Sequence, residues 1–384
     1  MSGGTTALPV VPRMKALPIG AKTFWRIRHA QRTLAEAIAA YPSDYQSVPP
    51  VPLAECRGEV ELFFTSEYSV CNYRCPYCYI GWAPDDRKAW DTRDIFPKIV
   101  HRLAGLKHRI KLNCENMGEW FTNQELIGGT TFLTRRENLI WVSITTNASL
   151  LPRMFAYLDE VDVNKVSFTC TYHATEVSLD DYMEQVRALK ARGANVVTAT
   201  VCFPGNVEHC QELKRRSEEL GVHFRMNLED RMWREAGDVP AETVARLYDL
   251  LEDHRKWDAQ RHGRLLGLNH TRGDLCTAGR NYLWINSTGD MFICSSASAM
   301  ATVMKDNDEV SFGNIFELES DYLPTRNDDI VCPFDGCSCP KDTLRRSAHQ
   351  DMFHISERSR HEVYFKTDAD RETLPAKGPV TRLK

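Results

Sequence analysis

Between Glu59 and Asn227, short apolar runs alternate with stretches in which apolar residues recur every three or four positions. The runs Val60–Thr65, Arg109–Asn113, Leu139–Thr146, Val166–Tyr172, Val196–Phe203 and Val222–Asn227 have the length and apolar content of buried strands. The segment Asp91–Leu106 puts Ile95, Ile99, Val100, Leu103 and Leu106 on one helical stripe, with Asp91 or Thr92 as its cap. Ser178-Leu179-Asp180-Asp181 reads as a capping box opening a helix that stops at Gly193. A further helix covers Val207–Leu220, after the break at Pro204-Gly205. Six successive strand–helix units with right-handed crossovers predict a parallel sheet, and the period alone leaves it curled or open.

The flanks read differently. A helix over Ala21–Ala40 precedes a connector, Val48-Pro49-Pro50-Val51-Pro52, that cannot continue it, so residues 1–56 form an N-terminal extension to a core at 57–240. Beyond Pro240 the alternation fades. A helix over Ala241–Trp257 leads into strands and turns that make a smaller unit at 241–356, and residues 357–384 form a charged tail. No internal repeat is present.

Composition narrows the options. A formal net charge of −4 disfavours a nucleic-acid-binding surface, and no run of about 18 apolar residues is available to span a membrane. The first residues lack the basic start and apolar block of a secretory signal. Thirteen cysteines, an odd number gathered in tight groups, fit metal–thiolate ligation in a reducing cytoplasm better than a secreted disulfide framework.

The tightest group is Cys71-Asn72-Tyr73-Arg74-Cys75-Pro76-Tyr77-Cys78, directly after the first strand. Three thiolates at C-x3-C-x2-C can hold three irons of a cubic cluster and leave the fourth open for chemistry. A structural zinc site would ordinarily want a fourth ligand in a paired C-x2-C group, and none lies near. The spacing, with an aromatic residue before the last cysteine, resembles the signature of the radical S-adenosylmethionine (SAM) enzymes.

Further residues follow in that family's order. Asn116-Met117-Gly118-Glu119 stands where relatives have a Gly-Gly-Glu-like element, and Thr145-Thr146-Asn147 resembles the Thr-Asn-Gly after the third strand. The resemblance covers roughly residues 60–230 and implies a partial (β/α)6 barrel of the α/β class. It implies that Cys71, Cys75 and Cys78 hold a 4Fe-4S cluster. Gly118 and Glu119 would hold the SAM amino group, Thr171 the ribose, and Arg225 and Asn227 the carboxylate or ribose. Asn147 would belong to the same cofactor site, with Tyr77 beside the adenine. The reaction it implies is reductive cleavage of SAM to a 5′-deoxyadenosyl radical that removes a hydrogen atom from substrate.

A second constellation begins at Cys276 and runs through an Asn286-Ser287-Thr288-Gly289-Asp290 turn to Cys294, a hairpin that would bring the two thiols together. Phe312-Gly313-Asn314-Ile315 and then Cys332, Cys337 and Cys339 follow. The set resembles the SPASM or twitch auxiliary-cluster domains. Five cysteines suffice for one auxiliary 4Fe-4S cluster with one thiol to spare, and a zinc knuckle is the alternative occupant.

Cys170 and Cys202, on the fourth and fifth strands, are candidate hydrogen-atom donors to a substrate radical, with Cys114 and Cys210 nearby, and His173 is a candidate acid/base. Tyr172, Trp120 and Trp82 are candidate pocket walls. The expected substrate is a small polar metabolite that is oxidised, epimerised or rearranged. A ribosomally made peptide is the alternative, and a two-cluster electron carrier or zinc scaffold the non-enzymatic one. A flavodoxin or ferredoxin would supply the electron.

Overall fold

The computed structural model describes residues 48–66, 70–78, 95–229, 232–233, 236, 239–247, 249–250, 272–300, 304, 307–334 and 344–345. The expected helix at 21–40, the residues Trp82, Cys337 and Cys339, and the tail at 357–384 lie outside these residues. Of the helix expected over 241–257, residues 241–247 and 249–250 are helical.

Six parallel strands run side by side in chain order: β1 (Glu59–Ser66), β2 (Arg109–Asn116), β3 (Leu139–Thr146), β4 (Val166–Tyr172), β5 (Asn195–Cys202) and β6 (His223–Leu228). Between them come α1 (Ile95–Gly105), α2 (Gln124–Thr134), α3 (Leu151–Leu158), α4 (Leu179–Ala191) and α5 (Val207–Glu219). The expected capping box is present on α4: Ser178 Oγ accepts from Asp181 N at 3.1 Å and donates to the Asp181 carboxylate at 2.7 Å. The helix is then ended by Gly193 at φ +81°, a left-handed conformation that suits glycine. Asn123 caps α2 by accepting from Glu125 N at 2.8 Å.

Side chains alternate across these strands, and the two faces differ in kind. Val60, Leu62 and Phe64 of β1, Ile110 and Leu112 of β2, Val142 and Ile144 of β3 and Val166 and Phe168 of β4 share a buried cluster with Ile99, Val100, Leu126, Met154, Val186 and Leu213 of the helices. The odd-numbered residues on the other face are mostly polar, and Phe63, Asn113, Glu115, Ser143, Thr145, Thr169 and Arg225 line a cavity there.

Two observations make this sheet a curled one. A strand order without reversal sends every right-handed crossover the same way, so the helices all cover one face. Moreover, Phe63 on β1 and Arg225 on β6 border one cavity although five strand spacings separate them. In a flat sheet that is about 24 Å, beyond the reach of the two side chains. The core is therefore a partial (β/α)6 barrel with a polar concave face.

The open edge of the barrel is extended by the C-terminal region. β8 (Tyr282–Ile285) pairs in parallel with β1, and β9 (Asp290–Phe292) and β10 (Ser311–Asn314) follow antiparallel. The expected hairpin turn is present: Asn286 Oδ1 accepts from Thr288 N and Asp290 N at 3.0 and 2.9 Å, and Gly289 takes φ +87°. A second small sheet sets β7 (Leu275–Cys276) between β11 (Ile330–Val331) and β12 (Leu344–Arg345). Phe63 joins the two regions, stacking on Trp284 at 5.1 Å and 10°.

Candidate active site

Parallel strands deliver their following loops to one end of a barrel, and here the loops after β1 to β4 are tied to one another. Val70 O, just before the first cysteine, accepts Glu119 N at 2.9 Å and Thr122 Oγ1 at 3.3 Å. Ser66 O accepts Met117 N at 3.1 Å. From the loop after β3, Asn147 Nδ2 donates to Asn72 Oδ1 at 2.9 Å, while Asn72 Nδ2 donates to Ser149 Oγ at 2.8 Å. The cysteine loop is thus gripped from two neighbouring strand ends.

Glu119 sits at the centre of this arrangement. Its side chain is buried, and its carboxylate accepts Thr146 Oγ1 at 2.7 Å, Asn147 N at 2.7 Å and Phe121 N at 3.0 Å. Burial pushes its pKa up, and these three hydrogen bonds hold it back only in part. At 1% exposure this carboxylate is engaged with the loop after β3 and with Phe121 N, so in the ligand-free chain it ties the strand ends together. The turn it holds contains Ala148 at φ +58°, the single non-glycine residue with positive φ among the described residues.

The three cysteines follow one another along this platform. Cys75 is buried, and Cys71 and Cys78 are partly exposed beside it. Burial, with the nearby Glu176 carboxylate and the Cys71 and Cys78 thiols, pushes Cys75 up to about 12. His173, after β4, places Nδ1 3.3 Å from Cys75 Sγ and 3.0 Å from Tyr77 Oη. Burial pulls His173 down to about 4, so its ring is neutral at neutral pH. Tyr77 packs between the rings of His173 and Phe203, at 6.0 and 4.9 Å.

Among the described residues no three His, Cys, Asp or Glu side chains converge as ligands of a single ion would. A four-iron cluster takes one thiolate per iron, so three thiols spread along a short loop meet its demand without meeting at a point. The donor set fits such a cluster, and it suits a sulfur-ligated group better than a hard cation. Thr65 Oγ1 and Asn227 Oδ1 are buried without a partner, and both belong to the odd-numbered, cavity-facing series.

The remaining expected residues divide between the two faces. Thr171 and Arg225 are on the cavity side, where Arg225 shares the lining with Glu115, and Gly118 lies in the bend between β2 and Glu119. Asn147 is buried and engaged with Asn72 and Ser149. Cys170 and Cys202, expected as hydrogen-atom donors, are both fully buried in the cluster under the helices, opposite the cavity. Cys210, on α5, belongs to the same cluster, and Cys114 borders the cavity at 1% exposure. Trp120 and Tyr172 are core residues too, packed on Phe96 and Tyr182.

Of the second cysteine set, Cys276, Cys294 and Cys332 share one buried cluster with Phe63, Tyr282 and Trp284. Cys276 also pairs across the small sheet with Ile330, two residues before Cys332. The cavity lining at Asn113, Glu115, Ser143, Thr145 and Thr169 was not singled out from the sequence. Its signal was there in the polar residues at every second position of strands otherwise apolar.

The class that fold and site define is a partial α/β barrel carrying a three-cysteine loop at the C-terminal end of its strands. No protein-family model matches the chain, and no curated protein matches it. Among solved structures it is similar to native anSMEcpe with bound AdoMet and the Kp18Cys peptide, at 13% identity and a TM-score of 0.42, over 67% of this chain and 78% of that one. It is also similar to BtrN in complex with AdoMet and 2-DOIA, at 16% identity and a TM-score of 0.35, over 68% and 80% of the two chains.

Proposed function

We propose that the chain is a radical SAM enzyme acting on a small polar substrate. The observation that carries this is the Cys71, Cys75 and Cys78 loop, fastened through Val70 and Asn72 to the loops after β2 and β3 at the end of a barrel with a polar cavity. A 4Fe-4S cluster held by these thiolates would supply the electron that splits SAM into methionine and a 5′-deoxyadenosyl radical able to remove a substrate hydrogen atom.

The chain's own residues divide the remaining work. Cys71, Cys75 and Cys78 provide three thiolates. Glu119 and Asn147 hold the loops in register. Gly118, Thr171 and Asn227 are the groups available to SAM. Glu115 and Arg225, with the Ser143, Thr145 and Thr169 hydroxyls and the Asn113 amide, form the wall that a polar substrate would meet. The buried cluster beneath the strands keeps water from the other face of the sheet. Cys276, Cys294 and Cys332 are the described thiols for a single auxiliary cluster, and a flavodoxin or ferredoxin is the class of electron donor.

Anaerobic iron and sulfide analysis, with 5′-deoxyadenosine formation from SAM, tests the reading in wild type and a Cys71→Ala/Cys75→Ala/Cys78→Ala chain. About eight irons in the wild type, about four in the variant, and cleavage in the wild type alone support it. A variant that keeps its iron beside a wild type that never cleaves SAM sinks it, and stoichiometric zinc would favour a scaffold. Deuterium passing from substrate into 5′-deoxyadenosine would locate the abstracted hydrogen.

A further inference from the structure

Cys75 differs from an ordinary loop thiol in what faces its sulfur. His173 Nδ1 stands 3.3 Å away, and that nitrogen is also 3.0 Å from Tyr77 Oη. The Tyr77 hydroxyl also lies beside Cys75. The ring of His173 is held in place by Tyr77, nearly parallel at 13°, and by Tyr73, edge-on at 78°. By comparison, Cys71 Sγ receives Tyr73 N at 3.4 Å and Asn147 Nδ2 at a long 3.9 Å.

The protonation pattern follows from what each atom can do. A thiolate that ligates iron accepts hydrogen bonds and donates none. A neutral imidazole facing it at this distance must present Nδ1–H, and the Tyr77 O–H, beside the same sulfur, is the second donor the site offers. Two donors on one cluster sulfur stabilise added negative charge. They therefore favour the reduced state over the oxidised one and raise the reduction potential.

We propose that His173, assisted by Tyr77, is a positioning residue that donates a hydrogen bond to the Cys75 thiolate and sets the cluster's reduction potential. The proposal rests on the three cysteines being cluster ligands. It gives His173 a role through Nδ1, distinct from the acid/base role expected from the sequence.

The test is a redox titration of the anaerobically reconstituted full chain, followed by electron paramagnetic resonance of the reduced cluster. The relevant signal is the one missing from the Cys71→Ala/Cys75→Ala/Cys78→Ala variant. His173→Phe keeps a ring and removes the donor, His173→Asn restores an N–H near Nδ1, and Tyr77→Phe removes only the hydroxyl. At equal iron content the midpoint potential is expected to move negative in His173→Phe, to return toward wild type in His173→Asn, and to move negative again in Tyr77→Phe. Equal potentials in wild type, His173→Phe and Tyr77→Phe at full iron would overturn the proposal and leave the cluster reading standing. A wild type with no signal beyond that of the triple variant would overturn both. Should His173→Phe fail to assemble, the Tyr77→Phe and His173→Asn potentials decide.

Discussion

At the scale of single residues, Glu119 shows how a motif can be legible while the partners of its side chain are not. Its place after β2 was legible in Asn116-Met117-Gly118-Glu119, but where its oxygens go depends on Thr146 and Asn147, more than 25 positions further on. Side-chain destinations of that kind are set by the fold and not by neighbours in sequence. His173 is a similar case, because its partner Cys75 lies 98 positions earlier. The geometry makes a definite prediction for Glu119→Gln. An amide has one acceptor oxygen where the carboxylate has two, so either Phe121 N or Asn147 N must face an NH2 group. Relief of the buried charge works in the opposite direction. An orphaned buried N–H costs about 1–3 kcal/mol, and we expect that loss to dominate, lowering the apo protein's stability by about 1–2 kcal/mol. Urea unfolding at neutral pH measures it, and a Gln chain as stable as wild type would mean that burying the charge costs as much as its hydrogen bonds return.

Among the elements, strands and helices with a plain apolar period were legible. α1 carries the expected stripe, and α4 has its cap and its terminal glycine. β2 runs to Asn116, three residues beyond the expected end, because Glu115 and Asn116 are polar and hide a strand whose inner face borders the cavity. α2 was not foreseen at all. Its Gly128-Gly129-Thr130-Thr131 stretch is a poor helix former by propensity, yet it is buried. Thr130 and Thr131 satisfy their hydroxyls by bonding back to Leu126 O and Ile127 O at 2.9 and 2.8 Å. Gly129 is there for contact. A Cβ on it would lie 2.4 Å from Phe96 Cε1 and 2.9 Å from Val100 Cγ2 on α1. Gly129→Ala gains about 1 kcal/mol of helix propensity but forces α1 and α2 apart, which costs about 1–3 kcal/mol. The ring of Phe96 is boxed in by Phe64 and Trp120, so it cannot swing clear, and net destabilisation is expected. A lower urea midpoint with an unchanged slope would bear this out, whereas a raised midpoint would show that the two helices have slack between them.

At the scale of the whole molecule, the sheet's curl was out of reach of periodicity, since the same alternation serves an open sheet and a barrel. It is settled by which residues meet across the cavity. The attachment of the C-terminal region was equally hidden, because it runs through backbone groups that carry no sequence signal. Beside the edge pairing of β8 with β1, the segment Leu318–Leu323 is strapped to the α1–β2 connection. Arg102 donates to the carbonyls of Leu318 and Ser320, and Lys107 N donates to Asp321 O at 2.8 Å. The Lys107–Asp321 ion pair at 3.6 Å is solvent-exposed and adds little. His108 closes the strap: Nε2 accepts Leu323 N at 3.1 Å, and the ring meets Tyr322 edge-on at 5.4 Å. To accept, Nε2 must be unprotonated, and burial indeed lowers this histidine's pKa. A folded-state pKa below the unfolded value of about 6.5 means stability that is complete above that pH and is lost as pH falls through the folded value. The apo protein's melting temperature is therefore expected to drop between pH 7.5 and 5.5. In His108→Gln an amide oxygen can accept from Leu323 N and nothing titrates, so the drop should shrink, with His173 keeping part of the slope because burial lowers its pKa too. An identical pH slope in the two chains would mean that the proton enters elsewhere, and that the C-terminal strap holds by its backbone bonds alone.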